Sequence, residues 1–273
     1  MNIEMNLELK PGTIVRFDLS QRIQHIILIA SFTILGLTGL VQSFSRIGFA
    51  RGFMSLLGGL DGVRMIHHTF AVILGTIFIY HVIVVFVDFL KNRSKAMLPR
   101  MKDINDAILS VKYLLERTDE KPQYDRFDFR QKLEYWALIW GTILMGGTGI
   151  VLMFAEGFSV FLPGDWIYAA KAAHGLEALL AVASIITWHL YNTHLAEGMF
   201  PLDTTIFKGK ISPERLMVEH PLEYQRMQMQ ATAALEAETN SIEALPMVRK
   251  KENFWKKLTG RKKPVIEGEP TVE

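Results

Sequence analysis

The chain writes RFDLSQRIQHIILIASFTILGLTGLVQSF at residues 16–44 and RFDFRQKLEYWALIWGTILMGGTGIVLMF at 126–154. Arg, Phe, Asp and Gln recur in register at the head of each copy, and Arg22 becomes Lys132. The one chemically loud difference sets His25 against Tyr135. Each phrase opens a long apolar run, so its reading decides the fold: a membrane-crossing helix, written twice.

The 273-residue chain is 49% hydrophobic with a mean hydropathy of +0.18, high for a soluble protein of one or two domains. Four nearly charge-free stretches, 23–43, 65–87, 134–155 and 170–193, each reach the ~20 residues a helix needs to cross about 30 Å of hydrocarbon. Core helices of soluble proteins are usually shorter and carry a polar stripe. The expectation is an all-α integral membrane protein, a bundle of four transmembrane helices over 23–226.

Basic residues orient it. The connection 88–133 holds eleven Lys and Arg, the N-terminal segment 1–22 has Lys10, Arg16 and Arg22, and the tail is rich in them. The connection 44–63 has only Arg46 and Arg51, and 156–170 has none. The positive-inside rule then puts both termini and 88–133 in the cytoplasm. The first span follows a polar stretch and lacks a small-residue cleavage site, so it reads as an anchor. DINDAILSVKYLLE (103–116) sets Ile104, Ile108, Val111 and Leu115 on one face, an amphipathic helix suited to the membrane surface. The tail 227–273 is polar: helical at ATAALEAE (231–238), basic at 249–263 and disordered at its end. Its basic part suits anionic lipid, with partner docking as the alternative.

With no Cys, the chain can ligate no iron–sulfur cluster, thiolate zinc or covalently attached haem of its own. Its own redox chemistry then falls to His or Met. Spans two and four echo each other more loosely than one and three: Arg64-x-x-His67 matches Lys171-x-x-His174, and His81 matches His189 after one inserted residue. A helical hairpin has been duplicated, and both copies start on the same side. A pseudo-two-fold axis along the membrane normal follows.

His67 and His81 are separated by ~21 Å of helix and face within about 40° of each other. His174 and His189 repeat this in span four, ~22 Å apart. Ionisable groups inside a membrane are costly and functional by default. Low-spin haem iron takes two trans imidazoles, so matched pairs at two depths suit two b haems between spans two and four. His68 points elsewhere, and His220 lies in the tail; both read as bystanders. Arg64 and Lys171, each three residues before a span His, suit haem propionates or simply flank the spans. The small residues Gly36, Gly39, Gly141, Gly146, Gly147 and Gly149 allow close approach of a helix or a porphyrin. Glu177 is read as orienting His174 or lying on a proton path.

These motifs resemble the cytochrome b (gamma) subunits of membrane-bound formate dehydrogenases, with related subunits in nickel–iron hydrogenases and thiosulfate reductases. The resemblance runs from about 16 to 226. It rests on RFDLSQRIQH, on R-M-I-H (64–67), and on Q-K-x-x-x-W (131–136) with T-G (148–149). It also rests on H-x-x-x-A (174–178), H-x-Y (189–191), G-K-I-S (209–212) and H-P-x-x-Y (220–224). It implies four spans and two b haems in a prokaryotic cytoplasmic (inner) membrane, passing electrons between a partner redox subunit and the quinone or menaquinone pool. The chain would be an electron-transfer subunit of a quinone-linked oxidoreductase rather than a stand-alone enzyme. Its partner would carry iron–sulfur clusters or multiple c-type haems. No nucleic-acid partner is expected.

Carried over by position, the resemblance makes His67 and His174 ligands of the outer haem, in agreement with the spacing. For the inner haem it pairs His25 with His189, whereas the repeat pairs His81 with His189. His81 departs from the family pattern. The partner of His189 stays open, with His25 favoured by the resemblance, and the spare imidazole leaves the count open between two haems and three. The resemblance also places quinone near the start of span three, with Asp128 and Gln131 as head-group contacts, although the family carries Asn at the position of Asp128. An N-cap role is the competing reading for Asp128.

Two other classes compete. HLYNTH (189–194) has the H-x4-H form of a histidine box, as in di-metal desaturases or hydroxylases, but the H-x-x-H-H boxes that complete such a site are missing. A proton-coupled transporter using His and Glu177 leaves the regular His spacing unexplained.

Overall fold

The computed structural model describes residues 12–92, 95–196, 199–243 and 257. Four helices are long and apolar enough to cross a membrane: α1 (Leu19–Ser43), α3 (Gly59–Asn92), α5 (Phe129–Met153) and α7 (Gly164–Ser184) with its continuation to Leu195. The short helix α2 (Gly48–Leu56) links α1 to α3, α4 (Met101–Leu114) precedes α5, and α6 (Ala155–Phe158) precedes α7. Beyond α7 come α8 (Thr205–Lys208), α9 (Pro213–Glu219) and α10 (Pro221–Glu243). Strand β1 (Ile14–Val15) pairs antiparallel with β2 (Lys210–Ile211). Apart from Lys257, the basic stretch 249–263 lies outside the described residues, as do 1–11 and 264–273.

The repeated phrase fixes where α1 and α5 begin. Asp18 Oδ1 accepts from Gln21 N at 2.8 Å while Gln21 Oε1 accepts from Asp18 N at 3.0 Å. Asp128 and Gln131 repeat this box at 2.9 and 3.1 Å. Each box satisfies otherwise unpaired N–H groups at a helix start. Both helices therefore begin several residues before the apolar runs at 23 and 134.

Along the bundle, α1 lies against α3 and α5 against α7, while α1 also meets α7 and α3 meets α5. The order around the bundle is α1, α3, α5, α7, and exchanging the hairpins maps this order onto itself, as the duplication predicts. Large apolar side chains such as Ile79, Val82, Leu176 and Leu180 point outward. Polar ones, including Gln24, Ser31 and Thr38, are buried. This distribution suits a hydrocarbon solvent, in which apolar surface costs nothing and polar groups turn inward.

The two phrases meet at one end, here called the collar. Arg16 donates to Arg126 O, and Arg126 donates to Arg16 O at 2.8 Å. Glu223 of α10 accepts from both guanidinium groups, from Arg126 at 2.7 Å. His220 donates through Nδ1 to Asp125 O at 2.6 Å and accepts from Arg16 at Nε2, 3.1 Å away. Arg22 donates to Phe207 O at 2.8 Å, and its counterpart Lys132 pairs with Asp103 of α4 at 2.7 Å. Gly209 has φ +75° and receives Arg16 N and Phe17 N on its carbonyl; a Cβ there would lie 2.6 Å from Phe17 O. Only glycine fits that close approach. The tail thus closes over both repeats, and His220 is one of the buried residues that hold it. The Ile104, Ile108, Val111 and Leu115 stripe stays exposed, while Asp106 on the other face is buried and paired with Lys102.

Candidate functional site

Toward the far end of the bundle, His67 on α3 faces His174 on α7 with ring centres 6.4 Å apart and planes at 67°. Both imidazoles are held alike. Thr38 Oγ1 donates to Ile34 O at 2.7 Å, so it accepts from His67 Nδ1 at 2.8 Å. Thr148, the same position in the second copy, donates to Leu144 O at 2.7 Å and accepts from His174 Nδ1 at 3.0 Å. Each bond puts the ring hydrogen on Nδ1 and leaves the Nε2 lone pair for a metal. The neighbouring glycines make room. A Cβ on Gly39 would lie 3.4 Å from His67 Cε1, and one on Gly149 3.3 Å from His174 Cε1. The repeated Thr-Gly is therefore an imidazole seat.

Nearer the collar, His25 on α1 faces His189, again at 6.4 Å between ring centres, with planes at 41°. Glu134 Oε2 accepts from His189 Nδ1 at 2.8 Å, a carboxylate–histidine arrangement that frees Nε2. Among the five span imidazoles proposed from the sequence, His25 alone has a buried Nδ1 without a hydrogen-bond partner among the described residues.

His81 goes elsewhere. Its Nδ1 donates to Gln24 Oε1 at 2.8 Å, and its Nε2 accepts from Tyr135 Oη at 3.1 Å. Gln24 is the counterpart of Glu134, and Tyr135 that of His25. The Tyr135–His81 contact is thus the mirror image of the His25–His189 pair, with a phenol in place of one imidazole. The residue inserted between His174 and His189 is taken up by a π-helical turn at Ile185–His189, whose wider turn holds one extra residue.

The remaining candidates are placed as follows. Asp128 and Gln131 form the capping box of α5, and Asp128 Oδ2 also accepts from Arg130 at 2.7 Å. Arg64 stands 3.8 Å from Asp61, and Lys171 is exposed. His68 packs edge-on against His67, while His194 Nδ1 accepts from Asp203 N at 3.2 Å. Glu177 does not hold His174; its Oε1 lies where a Cβ on Gly141 would come within 2.9 Å of it. Thr38, Gln24 and Glu134 carry no motif of their own in the sequence, and Thr148 enters there only as part of T-G. Their signal was there in the register of the two copies.

The geometry fits a haem. With metal–nitrogen bonds of about 2.0–2.1 Å and a ring centre ~1.1 Å beyond each nitrogen, trans imidazoles stand roughly 6.3 Å apart. Both pairs match that spacing. Among the described residues no three His, Asp or Glu side chains converge on one metal position, so HLYNTH does not assemble a histidine-box centre. A family model described as prokaryotic cytochrome b561 matches residues 16–199. That match includes all four spans and both imidazole pairs. No match was found among curated proteins. The chain therefore belongs to the prokaryotic cytochrome b561 family, multi-pass membrane b-type cytochromes that carry electrons on haem b.

Proposed function

We propose that the chain is the di-haem membrane subunit of a respiratory oxidoreductase, passing electrons between a partner redox subunit and the quinone or menaquinone pool. The observation that carries this reading is the pair of facing imidazoles at each of two depths, both at 6.4 Å. His67 and His174 hold the far haem; His25 and His189 hold the collar-level haem. Bound haem supplies a reversible one-electron iron couple. Thr38, Thr148 and Glu134 fix the imidazole tautomers, and the surrounding apolar spans exclude water. Arg64 and Lys171, three residues before His67 and His174, are the candidates to meet propionates in this reading.

In this reading the collar faces the cytoplasm, following the basic residues of 88–133. The α4 stripe then rests on the inner membrane surface. The quinone head group approaches the collar end near the start of α5, where Gln131 is exposed. Asp128, Gln131 and Tyr135 lie there within two helical turns. In this reading the partner carries iron–sulfur clusters or multiple c-type haems, neither of which this chain, with no Cys, could ligate itself.

A pyridine haemochrome assay on the intact purified protein tests this directly. Two b haems per chain, oxidised or reduced by a quinone–quinol couple, are expected. A colourless protein would overturn the reading.

A further inference from the structure

Glu177 is a carboxyl group within the hydrophobic thickness that the haem seats leave unused. It lies one turn along α7 from His174 toward the collar, ~4.5 Å of rise, between the two imidazole levels. Among the described residues it makes no ion pair or hydrogen bond, and the space for its Oε1 exists because position 141 of α5 is glycine. The facing helices offer it no charge. Residues 26–42 of α1 and 136–153 of α5 contain no ionisable side chain. On α7 its titratable neighbours are Lys171 and His174, and α3 brings His67 and His68 to the far level.

Packing does not require a carboxyl here. The π-helical turn places the inserted residue after Glu177, so its mirror position in the first hairpin is Phe70. The mirror of Gly141 is Ser31, whose buried Oγ has no partner among the described residues. One copy of the hairpin therefore has an apolar ring where the other has a carboxyl. An isolated carboxylate in a low-dielectric interior strongly disfavours further negative charge nearby, and protonation removes that penalty.

We propose that Glu177 is a redox-linked protonation site. When one electron, supplied by the partner subunit or by quinol, reduces the far haem iron from ferric to ferrous, the Glu177 carboxylate binds one proton from water. It becomes a neutral carboxylic acid, and oxidation releases both electron and proton. The added electron is thus offset in charge near where it resides. This rests on the di-haem reading above.

The test is a spectroelectrochemical titration of the intact haem-loaded protein between about pH 6 and about pH 8, for the unmodified chain and for Glu177→Gln. The far haem is identified as the signal lost in His67→Ala. Its midpoint potential should fall with rising pH by as much as ~59 mV per pH unit, the value for one proton per electron. Glu177→Gln should flatten that slope and leave the haem count unchanged. A slope arising from haem propionates would survive the substitution and overturn the proposal. A second readout needs no variant: the reduced-minus-oxidised infrared spectrum should gain a protonated-carboxyl C=O band that shifts in deuterium oxide. Its absence overturns the proposal even if Glu177→Gln fails to fold. Haem-free protein would overturn the function itself, whereas an unchanged slope or a missing band would overturn only the role of Glu177.

Discussion

Arg16 and Arg126, at the same position of two duplicated phrases, each donate a guanidinium N–H to the other's main-chain carbonyl, and Glu223 accepts from both. This reciprocal clasp explains why the chain says RFD twice. Arginine bridges the copies, aspartate caps its own helix, and phenylalanine stacks near the charges, with the Arg126 guanidinium 5.6 Å from the Phe127 ring centre. Glu223→Ala leaves the buried Arg16 guanidinium without its carboxylate and beside the half-buried guanidinium of Arg126. Removing one partner of a buried pair costs about 3–5 kcal/mol, so a clear drop in the unfolding temperature of the purified protein is expected. The same substitution combined with Arg16→Ala should cost less than the sum of the single changes.

Two histidines compete as the collar-level partner of His189, and substituting each one distinguishes them. His25→Ala should lower the haem content by one per chain, because it empties one side of the 6.4 Å pair. His81→Phe should leave both haems in place, because His81 is bonded to Gln24 and Tyr135. Haemochrome counts on the two variants decide the matter, and haem loss in His81→Phe alone would reverse the assignment.

Thr38→Val and Thr148→Val keep the shape of each imidazole seat but remove the acceptor for Nδ1–H. Losing such an orienting partner typically weakens metal affinity ~10–100-fold. Each variant should release the far haem more readily to apomyoglobin while the collar-level haem stays put. Equal release of both haems would argue against this assignment.

Burial holds the His220 imidazole down at about 4, with the Arg16 charge adding to the effect. A histidine lowered in the folded state binds fewer protons than in the unfolded state, so stability is full above about pH 6.5 and falls as pH drops toward about 4. Amide exchange of α9 and α10 should therefore speed up across that window. His220→Asn, which keeps a donor and an acceptor without titrating, should flatten the dependence.

Asp203 shows the opposite chemistry. Burial pushes its carboxyl up, but the two-pronged bond from Arg215 and two bonds from Thr205 outweigh this and hold it at about 2. Its contribution is present above about pH 4 and is lost only as pH falls to about 2. Asp203→Asn should loosen the turn between α7 and α9 at neutral pH, seen as faster amide exchange at Thr205, without altering the haem spectrum.

Much of this molecule is written in one dimension. Run length and the scarcity of charge determine four spans, because each crossing must satisfy its backbone within a single helix and bury nothing charged against lipid. The offset between RFDLSQ and RFDFRQ determines that two hairpins are related by a two-fold axis, and the repeat matches His67 with His174 just as it matches His81 with His189. What only the tertiary structure decided is who faces whom across helices. The choice of His25 rather than His81 opposite His189 depends on which helices are neighbours and on how a π-helical turn rephases one of them. Spacing along a single helix carries neither fact. The same holds for Thr38, Thr148 and Glu134, whose roles exist only where a side chain of one helix reaches an imidazole of another.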